Sequence, residues 1–493
     1  MPHRVPTSGR YRISNDVLVL ILEHFDPSSL FKTCQAFSRI RELVKHFHHL
    51  RYKLELALAG MTDGVLTYAK RPPMMRLQIL EAYKKDWPRL NWTAEQKLSI
   101  PATAGLYKVS GDFIIYAPSN MIQLMELPSC RLNRTPTLTR HLQYDTAPQA
   151  DAIVVDTSQS LIVTGHAIAG PAGQVGIRLK IRNLWKFDRH PHAPAPFYEC
   201  PVQTTQPIQK MSLSVSGSRL VVTLRFSDGR AKQLLLHWRT FAAMWMEEHD
   251  VHFLNSNYLL GTKVYRGKPV IHLYNVTDPT RVFIEREYEL PNHWSNAELK
   301  FMPNLASTFD TTPASRALFF ADPLNRVLVL TAKQANDDQI PAQWLVINES
   351  YFRPTTRPDR RLVSWNQWAN FCLVKNIPAF PVVRDPQVIG NRIVYLESDS
   401  SAHGGRAGTN RLSLIEFPPF PDPHRAAPRG VWTHIGQQSA LIPNEYSKDI
   451  SSNVTRGAGI ESMDATEDNI VLFLEPRHGI KEVYLMTFGV PTA

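Results

Sequence analysis

After residue 100 the chain repeats one local pattern seven times, and that repetition limits the folds open to it. The unit is an apolar residue or two, a small polar turn, a run rich in Ile, Leu and Val, a variable loop and a second run. It occurs at Tyr107–Tyr116 with Met121–Leu127, Ile153–Thr164 with Gly176–Leu184, and Leu213–Phe226 with Lys232–Trp238. It returns at Val251–Gly261 with Pro269–Tyr274 and at Leu318–Thr331 with Gln343–Ile347. The sixth and seventh are Val388–Leu396 with Arg411–Phe417 and Thr466–Leu474 with Glu482–Phe488. Ser-Gly-Asp, Ser-Gly-Ser and Asp-Gly turns sit where β-hairpins need them. Steps of roughly 39 to 77 residues between turns are too irregular for a solenoid and suit propeller blades, whose loops vary while each four-stranded sheet is kept. The pattern therefore predicts an all-β domain, a seven-bladed β-propeller. A large β-sandwich or two smaller β domains are the alternatives. In a propeller, a strand near Leu98–Ile100 or Tyr107 pairs with the C-terminal Val483–Phe488 to close the ring.

Composition agrees with many short elements. The 493 residues carry 37 prolines and only 23 glycines, and 43% are hydrophobic against 20% charged. That balance excludes wholesale disorder. Length alone suggests about three domains. The repeats argue instead for a small helical unit at residues 1–60, a helical connector at 61–97 and one large β domain at 98–493, an α+β multidomain chain.

The first sixty residues read as three short helices. Ser14, Asn15 and Asp16 offer caps for a helix over roughly Asp16–His24. Asp26-Pro27 stops it and starts a second, with Pro at the first helical position, and Ser38 caps a third. Val17 to Leu22 are six consecutive apolar residues, so helix one is apolar on every side and needs cover all round. Three helices of about ten residues are too small to surround one of their own number. Either the rest of the chain or a partner covers the remaining flank. In the connector, Pro72-Pro73 opens another helix, with Met75, Ile79, Tyr83 and Trp87 at four-residue steps on one face, and Pro88 ends it. That stripe predicts packing against the next domain, not a membrane surface.

Ile13-Ser14-Asn15-Asp16-Val17-Leu18, then Ile21-Leu22, Phe25-Asp26-Pro27, Leu30, Cys34 and Phe37-Ser38-Arg39 resemble an F-box. The family pattern has proline where this chain has Ser14, and a tryptophan after Ser-Arg where Ile40 is nearest. Tyr52–Met61 and Arg76–Leu80, leading to Trp87 and Trp92, are similar to the segment that follows the F-box in many fungal, basidiomycete-type F-box proteins. The resemblance implies docking to the Skp adaptor of Skp–cullin–F-box ubiquitin ligases, and through it to a cullin. Mapped onto this sequence, the implied contact set is Ile13, Leu18, Ile21, Leu22, Phe25, Pro27, Leu30 and Cys34, some of which must instead be core of the helical unit.

The net charge of +11 is mostly N-terminal, with 16 basic against 9 acidic residues in the first hundred. Charges are interleaved with apolar residues and form no run of five, which argues against nucleic acid and for solvated faces near an acidic protein. Four scattered cysteines show no metal or disulfide spacing. No apolar run has the length of a signal-peptide core or a membrane helix, so the expectation is a cytoplasmic or nuclear protein.

Motifs for chemistry are lacking. Gly261–Lys268 imitates a phosphate loop but has five residues between its glycines and Pro269 in place of Ser/Thr, so a hairpin turn is expected. His46, His48 and His49 read as a basic helix end, and His190-Pro191-His192 as a loop. No Gly-x-Ser-x-Gly or HExxH occurs, and no Trp-Asp dipeptide marks a well-formed WD-repeat array. The expectation is a non-catalytic substrate receptor without cofactor or metal, its β domain capturing an unknown target protein. A scaffold outside a ligase is the alternative, followed by a propeller enzyme such as a glycosidase. Candidate binding loops are Lys186–Cys200, Pro291–Ser315, Ser398–Asn410, Pro418–Arg429 and Ser439–Gly459. Trp294, Tyr351, Trp365, Trp368 and Trp432 are aromatic residues in or near irregular segments, with packing between blades favoured over binding for each.

Overall fold

In the computed structural model the chain forms N-terminal helices stacked on a seven-bladed β-propeller. The structure describes residues 13–64, 71–118, 120–134, 141–145, 149–169, 175–204, 206–278, 280–306, 317–334, 342–353, 361–378, 382–398, 410–420, 432–434, 441–451, 454 and 458–490.

Helices α1 (Asn15–Glu23), α2 (Pro27–Ala36), α3 (Ser38–His46) and α4 (His48–Ala59) come first. Ser14 and Asp26 cap α1 and α2 with their side chains, and Pro27 holds the first position of α2. Ser38 does not cap α3; it is its first residue, and Phe37 holds the cap position without a side-chain bond. Helix α4, where the sequence suggested only a continuation, ends on Gly60 with φ 66°, the left-handed conformation that glycine adopts without a Cβ penalty. Strand β1 (Met61–Asp63) follows, then α5 (Pro73–Asp86) and β2 (Ala94–Pro101).

The first blade is Ala104–Ser110, Phe113–Pro118, Met121–Glu126 and His141–Asp145, and six more sheets follow, each with four antiparallel strands from inner to outer edge. The innermost strands are Ala104–Ser110, Ala152–Asp156, Ile208–Ser216, Asp250–Phe253, Ala297–Met302, Val382–Ile389 and Ile460–Ala465. The seven sheets close into a ring, and neighbouring blades touch mainly through these strands. Side chains on them accept the free backbone N–H groups of the next blade. Ser110 Oγ takes Val155 N at 3.0 Å, Asp250 takes Phe301 N at 2.8 Å, and Asp464 takes Val109 N at 2.6 Å. An edge strand that would otherwise leave its donors unpaired is thereby satisfied.

Closure is as the sequence predicts. Strand β2 is the outermost strand of the last blade, antiparallel to Ile480–Thr487 with Leu98 opposite Val483. The first and last strands of the ring thus share one sheet, so opening it requires breaking eight residue pairs.

Three readings are corrected here. Leu318–Thr331 is not one blade hairpin: Asp322 caps a turn through Leu324 N, so Phe319–Ala321 leaves the blade and pairs with β1. The inner strand of the fifth blade is instead Ala297–Met302, inside the segment Pro291–Ser315 expected as loop. Met75 does not join the packing face of α5; it is exposed, and Leu77 and Leu80 are buried beside Ile79, Tyr83 and Trp87. The Gly261–Lys268 segment is a hairpin, with Arg266 and Gly267 at φ 51° and 76° between Tyr265 and Lys268.

Candidate partner-binding surface

The helical unit has its own small core. Val19, Leu22, Leu30, Cys34, Leu43, Val44 and Leu50 are buried together, with Leu18, Phe25, Ile40, Phe47 and Leu54 packed against them. Of the eight residues implied by the F-box resemblance, Leu22, Leu30 and Cys34 therefore lie inside this core. Burial pushes the Cys34 thiol above its ordinary value. Leu18 and Phe25 are half-buried at its margin, and Ile13, Ile21 and Pro27 are exposed.

The exposed side of α1 is a continuous apolar stripe. Val17, Leu20 and Ile21 stand at i, i+3 and i+4, the spacing that aligns side chains along one helical face, and exposed Ile13 lies just before the N-cap Ser14. Leu20 is 59% exposed and Ile21 41%. Phe37, between α2 and α3, is also 59% exposed. The contact set implied by the resemblance omits Val17, Leu20 and Phe37, although the four-residue step from Val17 to Ile21 was available to find the first.

Short-range bonds fix this face. Arg39 Nη2 donates to Ile13 O and to Asn15 Oδ1, each at 2.8 Å, tying the start of α1 to α3. Lys53 Nζ donates to Glu23 O at 2.9 Å, capping the C-terminal end of α1 from α4. The Ser29 hydroxyl and N–H both donate to Asp26, holding its carboxyl below the usual range. These ties orient α1 without covering its stripe.

Beneath this unit, α4 and α5 merge with the propeller core. Tyr52, Leu56, Leu77, Leu80, Tyr83 and Trp87 share one buried cluster with Leu318, Val394, Leu412, Leu472 and Phe488. Trp87 stacks on Phe488 at 4.2 Å between ring centroids, and its Nε1 donates to Glu467 O at 3.2 Å. Tyr83 donates to the same carbonyl at 2.8 Å and accepts from Arg392 Nη1 at 3.0 Å. Burial pushes the Tyr83 phenol well up. Buried Asp86, whose carboxyl burial raises, accepts from Gly489 N at 3.1 Å. Alongside, Arg131 pairs with Asp468 at 2.9 Å and Glu467 at 3.1 Å, and donates to Phe319 O at 2.9 Å. One buried network thus joins α5, the first, sixth and seventh blades, and the strand Phe319–Ala321.

The propeller's own candidates are mostly packing. Trp294 and Trp368 are buried, Tyr351 and Trp365 half-buried, and Tyr351 stacks on Trp368 with its hydroxyl pushed up to about 12 by burial. Trp432 lies in a strand added to the fifth blade, and its side chain is outside the described residues. His190 is buried, donating to Gln159 O at 3.1 Å. His46 ends α3, whereas His48 and His49 open α4 and His49 pairs with Glu23 at 3.0 Å. Lys186–Cys200 links the outer strands of the second blade. Much of Ser398–Asn410 and Pro418–Arg429, and residues 307–315 of Pro291–Ser315, lie outside the described residues, whereas Ser439–Gly459, expected as a loop, holds the outer strand Asn444–Asp449 of the sixth blade. Among the described residues no group of three or more His, Cys, Asp or Glu side chains is arranged to hold a metal. No described helix is long and apolar enough to cross a membrane.

No family model and no curated protein matches the sequence. Three solved structures share aspects of the chain trace. The WD40 domain of SCAP from fission yeast is 9% identical, with 80% of this chain and 83% of that chain covered and a TM-score of 0.39. The uncharacterized protein lmo1340 from Listeria monocytogenes EGD-e is 9% identical over 76% of this chain and 90% of that one, with a TM-score of 0.35. BBS1N in complex with ARL6DN is 10% identical over 79% and 95%, with a TM-score of 0.29.

Proposed function

We propose that this chain is a non-catalytic receptor subunit that docks through α1 and α2 onto a Skp-type adaptor, and through it a cullin, while the propeller holds a target protein. The observation that carries the reading is the exposed stripe of Val17, Leu20 and Ile21 on α1, with exposed Ile13 just before it. A continuous apolar helical face is costly in water and marks a surface meant for a partner. It lies on the segment whose sequence resembles an F-box. The apolar circumference of α1 then has a simple reason: half is core of its own unit and half is core of a complex.

The mechanism is proximity. A target held on the propeller stays at a set distance from an enzyme carried by the cullin, which raises its effective concentration without any bond chemistry in this chain. The Arg131–Glu467–Asp468 and Tyr83–Arg392 contacts favour this role, since they stiffen the junction across which that distance is set.

The test is purification of the full chain co-expressed with a fungal Skp adaptor. A stable complex is expected, and Leu20→Asp with Ile21→Asp abolishes it while the thermal unfolding of the free chain is unchanged. A folded wild-type chain that forms no complex overturns the reading.

A further inference from the structure

Between the outer parts of the fourth and fifth blades lies a pocket that the adaptor reading does not use. It is built by two excursions. The 3₁₀ turn Asn292–Trp294 leaves the outer strand of the fourth blade, and the short helix α6 (Trp365–Trp368) follows a strand, Leu362–Val363, added parallel to that blade. The cavity is about 310 Å³, at the lower end of small-molecule sites. Its described lining contains no Asp, Glu, Lys or Arg. A charged ligand here would lose its hydration without an opposite charge to replace it.

The polar groups have a fixed direction. An indole N–H only donates, so Trp294 Nε1, 2.7 Å from Gln343 Oε1, assigns that atom as the amide oxygen. His293 Nε2, 3.1 Å from the same oxygen, must then donate as well, which leaves Nδ1 as the acceptor of the neutral ring. The Gln343 amide nitrogen donates to Asn376 Oδ1 at 2.9 Å, which leaves the Asn376 amide N–H groups as donors. His293 and Asn376 are both exposed. Trp365 lines the same pocket with its indole half-exposed, set edge-on against Trp368 at 5.1 Å. One relay therefore presents an acceptor and a donor beside an aromatic ring.

We propose that this pocket binds a neutral sugar ring, such as one hexose unit of a glycan. Each sugar hydroxyl both donates and accepts, so neighbouring hydroxyls match His293 Nδ1 and the Asn376 amide together. The C–H face of the ring packs on the Trp365 indole. The absence of charged groups in the described lining selects against phosphates, nucleotides and acidic peptides. This assignment is independent of the adaptor reading: it concerns the opposite part of the chain and needs no partner protein.

The experiment uses the full chain and a panel of glucose, galactose, mannose, N-acetylglucosamine and cellobiose, read by saturation-transfer NMR and titration calorimetry. At least one is expected to bind with a dissociation constant of about a millimolar or tighter. His293→Ala and Asn376→Ala, both at exposed positions, should each weaken it about tenfold, and Trp365→Ala should abolish it, with thermal unfolding followed in parallel. A panel in which no sugar transfers saturation overturns the proposal. So does binding that survives both His293→Ala and Asn376→Ala, or saturation of the site by a proline-rich peptide instead.

Discussion

Arg131→Met tests the junction on which the receptor reading depends. The guanidinium is 95% buried and sits between two carboxylates that are equally buried, at 2.9 Å from Asp468 and 3.1 Å from Glu467. Methionine fills much of the same volume, so the change removes charge and hydrogen bonds more than packing. Asp468 keeps the Ser129 hydroxyl at 2.8 Å and Glu467 keeps Ala321 N at 3.0 Å, but both lose the Arg131 charge. Breaking one side of a buried pair costs about 3–5 kcal/mol, because the other charge stays behind uncompensated. The loss should appear as a lower urea midpoint and as faster amide exchange in α5, whose Tyr83 and Trp87 lean on Glu467 O. Replacing Arg131 and Asp468 together should recover part of it, since one of the stranded charges is then gone. A cost below about 1 kcal/mol, or no change in α5 exchange, refutes the argument that this network couples helices to propeller.

Other outcomes follow from single contacts. Asp26→Ala removes the side-chain cap of α2 and should lower the urea midpoint of the full chain. Gly60→Ala forces a Cβ to 3.0 Å from the Pro419 ring in a left-handed conformation and should destabilise by about 1 kcal/mol or more, with denaturant midpoints as the check. Burial holds the His190 imidazole below its ordinary value, and its Nδ1 accepts from His192 N at 3.3 Å. Its contribution is therefore complete above the ordinary histidine value of about 6.5 and is lost as pH falls through the lower folded value, so His190→Gln should flatten the acid limb of a melting-temperature profile.

The propeller was legible because its signal is local and repeated. Each hairpin alternates apolar and polar positions around a turn of fixed chemistry, so Gly111, Gly217 and the Arg266-Gly267 pair locate turns without tertiary information. The inner strands were harder to see. Ile208–Ser216 carries polar residues at Gln209, Lys210, Ser212 and Ser214, as a strand at the centre of a ring can, and Ala297–Met302 is short and flanked by irregular chain. The exchange of Phe319–Ala321 from its blade to β1 was hidden for a different reason. Its partner lies more than 250 residues away, and no local period records a contact of that range.

The partner surface was legible to the extent that helical geometry is. Six apolar residues in a row predict that α1 is covered on all sides, but not which side is covered by what. That division depends on where α3 and α4 arrive, and it places Leu22, Leu30 and Cys34 inward while turning Val17, Leu20 and Ile21 out. A contact list taken from a sequence resemblance mixes these two groups because both are apolar in the chain. The distinction has a consequence that mutation can read. Leu30→Asp buries a charge in the helical core and should remove partner binding together with the fold of that unit. Leu20→Asp puts a charge on a 59% exposed site and leaves the fold intact, so a loss of binding there reports the interface itself.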